Sequence, residues 1–130
     1  MNKKQRQIQY IQDRLKQYKK LEDELLYYEN KQRNLKSISY DTVRTSNNKK
    51  DMNISYISKI NDIKKNMAKI SHFIDKHFNG KYRLVLWYRY IAGLSLKEIA
   101  EAMRCSITTI KRFEIQALEK FIDENLNNKK

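Results

Sequence analysis

The sequence is poor in the residues that form tight turns and cross-links. Its 130 residues include no proline, two glycines (Gly80 and Gly93) and one cysteine, Cys105. Sandwiches and barrels need many turns rich in glycine and proline, so the composition excludes them and favours an all-α chain. A lone cysteine forms no internal disulfide, and the simplest expectation is a reducing, cytoplasmic setting.

Long apolar runs are lacking as well. The longest, residues 82–92, is interrupted by Arg83 and Arg89 and falls well short of the ~20 residues of a membrane span. The polar start, Met1 to Arg6, leads into no apolar segment, so we expect neither a secretory signal nor a membrane partner. The sequence also lacks Gly-rich phosphate loops, nucleophile signatures and His/Cys clusters, so we expect no enzyme activity, cofactor or metal.

Positive charge is abundant. Lys and Arg number 28 against 15 acidic residues, which gives a formal net charge of +13. Such an excess favours association with polyanions and indicates nucleic acid as a partner. The excess is spread along the chain, so charge alone does not locate the binding site.

Residues 1–80 are predicted to form two long amphipathic helices for oligomerisation or partner binding. Apolar residues recur every three or four positions within 5–36, and a heptad seam runs through 51–78 in the manner of a coiled coil. Asp51 is the expected N-cap of the second helix, and Gly80 is suited to a left-handed position at its end. The heptad seam consists of Tyr56, Ile60, Ile63, Met67, Ile70, Ile74 and His77.

Residues 37–50 are rich in Ser, Thr and Asn and are predicted to be a linker between these helices. The linker is long enough for the helices to fold back as a hairpin. Pairing with the helices of a second subunit is equally compatible with the pattern, which leaves a homo-oligomer open.

Residues 81–130 carry the pattern of a helix-turn-helix domain. A helix is predicted over 82–92, followed by a turn at Gly93 and a short helix over 96–103. Ser95 and Glu98 have the spacing of a capping box, and Ser106 is a second N-cap that starts a helix over 107–122. A short helix, a tight turn and a longer helix are the parts of this motif.

The packing residues of the motif are also present. The small Ala100 allows the two helices to cross closely, and Trp87 is expected in the core. At Arg104 the motif usually has glycine, because this turn residue takes a positive φ, which costs another residue roughly 1 kcal/mol. The predicted apolar lining of the crevice is Ile99, Met103, Cys105, Ile110 and Phe113.

Residues 82–100 resemble region 4 of bacterial sigma factors, as do residues 106–112 with 117–121. The resemblance covers about a third of the chain, which leaves no room for the sigma region that melts promoters. The whole layout is similar to phage regulators of the RinA/ArpU type, in which a basic helical half precedes such a domain. This resemblance implies an activator of phage or prophage late genes in a bacterial host, with no catalytic residues.

The third helix of such a unit enters the major groove with its N-terminal residues at the base edges. The resemblance implies base contacts by Thr108, Lys111 and Arg112, where sigma region 4 reads its −35 element. Arg or Lys pairs with guanine, and Thr contacts the thymine methyl. Lys97 and Arg104 are better placed for phosphates. The full set of predicted DNA-binding residues is Ser106, Thr108, Thr109, Lys111, Arg112, Gln116, Lys97 and Arg104.

The leading hypothesis is therefore a sequence-specific transcription regulator that binds double-stranded DNA. Its further partners would be bacterial RNA polymerase or a regulatory protein of a phage or mobile element. Two alternatives remain open. The chain could be a small terminase-like packaging protein, or a sigma-like adaptor that binds polymerase or an anti-activator without reading DNA.

Overall fold

The computed structural model describes the backbone of residues 2–37 and 46–126 and the side chains of residues 2–35 and 51–126. These ranges contain helices and no strand, which confirms the predicted all-α fold. No helix within them is long and apolar enough to span a bilayer. The helices are α1 (Lys3–Ser37), α2 (Ser46–His77), α3 (Gly80–Leu86), α4 (Leu96–Met103) and α5 (Ile107–Asn125), and a π-helical turn (Trp87–Ile91) continues α3.

Both ends of the segment predicted as a linker are helical. Ser37 belongs to α1 and residues 46–50 to α2, so the prediction of a 37–50 linker is wrong at both ends. Asp51 lies inside α2 and does not cap it. Once a helix has formed, each added residue gains a backbone hydrogen bond, which offsets the weak helix preference of Ser and Asn. Residues 38–45, the remainder of the predicted linker, lie outside the described residues.

The described residues fall into two compact units. One comprises the segments up to Lys19 and from Lys69 onwards, and the other comprises Lys20–Ala68. This division differs from the predicted boundary after residue 80. The reason is that both long helices supply apolar residues to the core that surrounds α5: Ile8, Ile11, Leu15, Ile74 and Phe78 cluster with Leu86, Tyr90, Ile91, Ala117, Leu118 and Ile122.

In the Lys20–Ala68 unit, α1 and α2 pair antiparallel within one chain. The rings of Tyr28 and Tyr56 lie 6.2 Å apart, and the Gln32 side chain donates a hydrogen bond of 3.1 Å to Asn53 Oδ1. The residue numbers increase along α1 from Tyr28 to Gln32, whereas those of their partners in α2 decrease from Tyr56 to Asn53. The two helices therefore run in opposite directions. Gln32, which interrupts the apolar stripe of α1, is therefore satisfied by a second amide side chain.

In the other unit, α1 runs antiparallel to α5. Lys4 Nζ lies 2.9 Å from Asp123 Oδ1 near the C-terminal end of α5. Two turns further along α1, Gln12 Nε2 donates to Glu114 Oε2 at 3.1 Å. Residues of α1 that follow Gln12 therefore lie towards the N-terminal end of α5.

Glu114 is a buried carboxylate in α5, and Arg89 from the π turn neutralises it. Arg89 Nη1 lies 2.9 Å from Glu114 Oε2, and the side chains are 29% and 4% exposed, respectively. The hydroxyl of Tyr90 and Glu114 Oε1 are buried and lack a hydrogen-bond partner within the described residues. Burial, reinforced by the Glu114 carboxylate, raises the pKa of Tyr90, so this hydroxyl stays protonated.

The π turn changes which side chains of the 80–91 segment face the core. The Ala92 N–H donates to the Trp87 carbonyl at 2.9 Å, five residues back. Residues about five apart therefore share a face, and Val85, Leu86, Tyr90 and Ile91 are buried. The prediction of a core Trp87 is wrong, because this ring lies on the opposite side and is 40% exposed.

Gly80 has a φ of +57°, which confirms the predicted left-handed conformation. It lies at the first position of α3 rather than directly after the second helix. Because positive φ is strained for other residues, glycine suits this position at the start of α3.

Replacing one partner of the Arg89–Glu114 pair is expected to destabilise the fold more than replacing both. Arg89→Met leaves a buried carboxylate unpaired, which costs on the order of 3 kcal/mol in free energy of unfolding. The double variant Arg89→Met/Glu114→Leu is expected to be more stable than this single variant. Urea unfolding followed by circular dichroism measures both. A double variant whose destabilisation equals the sum of the two single effects would show that the pair is not coupled.

Candidate nucleic-acid interface

The N-terminus of α4 is closed by a capping box, as the sequence predicted. Ser95 Oγ accepts from the Glu98 N–H at 3.1 Å, and Glu98 Oε1 accepts from the Ser95 N–H at 3.0 Å. The backbone hydrogen bond from Ser95 lowers the pKa of Glu98. This reciprocal arrangement fixes where α4 starts after the turn at Gly93.

The turn between α4 and α5 has the predicted strained residue. Arg104 has a φ of +56° and a ψ of +47°, in the left-handed region. The chain then closes on α4, because the Cys105 N–H donates to the Ala100 carbonyl at 3.0 Å. The turn thus stops α4 and directs the chain into α5.

The crevice of the motif is filled as predicted. Val85, Ile99, Ala100 and Ile110 form a buried cluster. The close approach of α4 and α5 depends on the small side chain of Ala100, which is 6% exposed. Partly buried apolar residues complete the cluster: Tyr88, Leu94, Leu96, Met103, Cys105 and Phe113.

Ser106 caps α5, which confirms the second predicted N-cap. Its Oγ accepts from the Thr109 N–H at 3.1 Å and lies 2.8 Å from the Thr109 hydroxyl. Both hydroxyls are therefore engaged with each other at the tip of the helix. Thr109 is half-buried, so its main role in this structure is local.

The first two turns of α5 present an exposed polar face. Thr108, Lys111 and Arg112 are all exposed, and their i, i+3, i+4 spacing places them side by side on the helix. No carboxylate within the described residues pairs with Lys111 or Arg112. This face therefore combines positive charge with a hydroxyl and a methyl group.

The other predicted site residues flank this face. Lys97 in α4 and Arg104 in the turn are exposed and also lack a carboxylate partner within the described residues. Gln116 is exposed and accepts a hydrogen bond of 3.4 Å from the Tyr82 hydroxyl of α3. Lys97 thus lies in the first turn of α4, Arg104 lies two residues before the N-cap of α5, and Gln116 lies next to α3. Base or phosphate contact by these residues stays a prediction.

Two features of this region were missed in the sequence. Lys81 Nζ lies 4.6 Å from the ring centroid of Phe113, which adds a cation beside α5. Glu114 is buried in α5 and is 3% exposed. Its position, four residues after Ile110 and three before Ala117, already lies on the apolar stripe of α5 and signals a buried charge.

Among the described residues, no three His, Cys, Asp or Glu side chains are grouped to hold a metal ion. Cys105 is a partly buried member of the crevice cluster and has no disulfide partner.

Residues 77–121 match the family model of sigma-70 region 4. This segment is a sigma region 4-like helix-turn-helix. The match confirms the resemblance to sigma region 4 and supports a DNA-binding, sigma-like regulatory role. It covers about a third of the chain, and no curated protein or solved structure matches the chain.

Arg104→Gly is expected to raise the free energy of unfolding by about 1 kcal/mol relative to Arg104→Ala. Glycine adopts a φ of +56° without steric strain, whereas alanine retains the strain. Both variants lack the charge of arginine, so their difference reports the backbone conformation alone. Thermal and urea unfolding of the two variants measure the difference. Equal stabilities would show that the left-handed turn stores no strain.

Proposed function

We propose that the protein is a sequence-specific DNA-binding regulator of transcription, an activator of phage or prophage late genes that acts with the host RNA polymerase. The observation that carries the proposal is the exposed face of Thr108, Lys111 and Arg112 at the start of α5. This face belongs to the helix-turn-helix whose residues 77–121 match sigma-70 region 4, and the match supports a role in binding DNA.

The proposed reading of DNA follows from the chemistry of that face. The N-terminal half of α5 enters the major groove. Arg112 or Lys111 pairs with O6 and N7 of guanine, and Thr108 contacts a thymine methyl; each good pairing is worth about 1–3 kcal/mol of discrimination. Lys97 and Arg104 hold phosphates, which positions the domain without specifying sequence. The protein acts by binding, and the proposal includes no catalytic step or cofactor.

A second surface supports contact with a protein such as polymerase. Leu84 and Trp87 lie one turn apart on the α3 segment and are 42% and 40% exposed. Adjacent exposed apolar side chains are suited to contact with a protein when they form part of a contiguous patch. They belong to the same unit as α5, so one domain offers both a charged and an apolar face.

The first test compares binding to a duplex selected from a random library with binding to a shuffled duplex of equal length. Fluorescence anisotropy over a salt series is expected to show a preference of ~1,000-fold or more for the selected duplex. Lys111→Ala/Arg112→Ala is expected to abolish the preference, because it removes the base-reading groups while phosphate contacts remain.

The matched control is Lys64→Ala/Lys65→Ala, which removes the same charge from exposed positions of α2. It is expected to keep the preference. Equal, salt-labile binding of the unmodified protein to both duplexes would contradict the proposal and favour a packaging protein or an adaptor.

Leu84→Ser/Trp87→Ser is expected to leave the affinity for the selected duplex unchanged and to abolish activation. The reason is that the exposed apolar pair is separate from the charged face of α5. Transcription in vitro with bacterial RNA polymerase, run beside the anisotropy measurement, measures both properties. Full activation by this variant would exclude the pair as the polymerase contact.

A further inference from the structure

A second cluster of cations lies where α1 passes the start of α4. A cavity of about 340 Å³ is lined by Lys16 and Lys19 of α1, by Arg89 and Tyr90 of the π turn, and by residues 94–96. Lys19 is close to the turn itself, because a Cβ placed on Gly93 would be 3.7 Å from Lys19 Nζ. Three cationic side chains thus surround the entry to α4.

The direction of α1 explains this position. Lys4 pairs with Asp123 near the end of α5, and Gln12 reaches Glu114 in its middle. Because the two helices are antiparallel, Lys16 and Lys19 lie towards the end of the domain where α5 begins. In a helix-turn-helix bound to DNA, this is the end that faces the duplex, and the first helix of the motif crosses the sugar-phosphate backbone.

The lysines, rather than the N-terminus of α4, provide the positive potential here. The carboxylate of Glu98 already occupies that N-terminus through its hydrogen bond with the Ser95 N–H. Lys16 and Lys19 are both exposed, whereas the charge of Arg89, which also lines the cavity, is neutralised by Glu114. Flexible ammonium groups on an exposed helix are suited to phosphates, since they act as point charges without demanding a fixed geometry.

We infer that Lys16 and Lys19 bind phosphates of the DNA backbone next to the segment read by α5. The inference rests on the proposed DNA-binding function and extends the interface beyond the region that matches sigma region 4. The N-terminal helix then contributes directly to DNA affinity, in addition to its packing role. Because phosphates carry no sequence information, this contribution is the same for every duplex.

The test is the salt dependence of binding by the full chain to the selected and the shuffled duplex. Lys16→Ala/Lys19→Ala is expected to weaken binding to both duplexes by the same factor. The slope of log affinity against log salt concentration is expected to fall by about two, one for each phosphate that is no longer neutralised. Lys16→Arg/Lys19→Arg retains the charges and is expected to restore the slope.

The matched control is Lys3→Ala/Lys120→Ala, which removes the same charge from exposed positions of the same unit. Lys3 lies at the start of α1 and Lys120 near the end of α5, away from the proposed contact, so the slope is expected to stay unchanged. Circular dichroism melting curves check that all variants fold.

The outcomes separate this inference from the proposed function. If the Lys16/Lys19 and Lys3/Lys120 variants behave alike while Lys111→Ala/Arg112→Ala abolishes the preference, the inference is wrong and the proposed function stands. If the unmodified protein shows no preference for the selected duplex, the proposed function fails. A reduced preference, rather than a reduced overall affinity, in the Lys16/Lys19 variant would also overturn the assignment to phosphates.

Discussion

The ion pair of Arg89 and Glu114 determines how the pieces of the α5-containing unit fit together. It joins the π turn to α5, and the bond from Gln12 brings α1 to the same carboxylate. A buried charge is costly unless it is paired and hydrogen-bonded, so only an arrangement that brings all three elements to Glu114 is stable. Apolar packing around Glu114 supplies the bulk of the stability. Apolar contacts still form when one helix shifts along another, whereas the hydrogen bonds of Glu114 with Arg89 and Gln12 require one alignment.

One consequence is that the face of α5 that carries Lys111 and Arg112 is held in a fixed rotation. Glu114 is buried in the same helix, three residues after Lys111, and cannot leave Arg89 without leaving a charge unpaired in an apolar surrounding. The π turn has a comparable effect on its own segment, because it aligns Tyr90 and Ile91 with the buried Val85 and Leu86, while Leu84 and Trp87 are exposed. The buried residues of each helix thus determine which of its side chains are exposed.

Features that depend on local chemistry could be predicted from the sequence. The caps at Ser95 and Ser106 and the left-handed Arg104 each follow from a few neighbouring residues, and all three are confirmed. The apolar crevice between α4 and α5 follows from helical spacing. The sequence also indicates the exposed face at Thr108, Lys111 and Arg112. The contact of this face with bases is inferred from the chemistry of the three side chains and stays a prediction.

Features that depend on distant partners could not be predicted in the same way. Glu114 is buried because Arg89 and Gln12, remote in sequence, come to meet it. Tyr90 and Ile91 share a buried face with Val85 and Leu86 because a π turn alters the helical period, and periodicity arguments assume a constant one. The position of Lys16 and Lys19 beside the turn at Gly93 likewise requires the antiparallel course of α1 against α5, which no local pattern specifies.

The amide pair of Gln32 and Asn53 gives the long helices a means of choosing their alignment. Apolar stripes with a regular repeat match nearly as well after a shift of one heptad, so they are ambiguous about register. Such a shift would bring Gln32 opposite Ile60 or Asn53 opposite Leu25, and would leave the donors and acceptor of that amide without a side-chain partner. The interruption in the stripe of α1 therefore selects one register during folding. Misaligned hairpins lose the hydrogen bond between Gln32 and Asn53 and are less stable than the correctly aligned one.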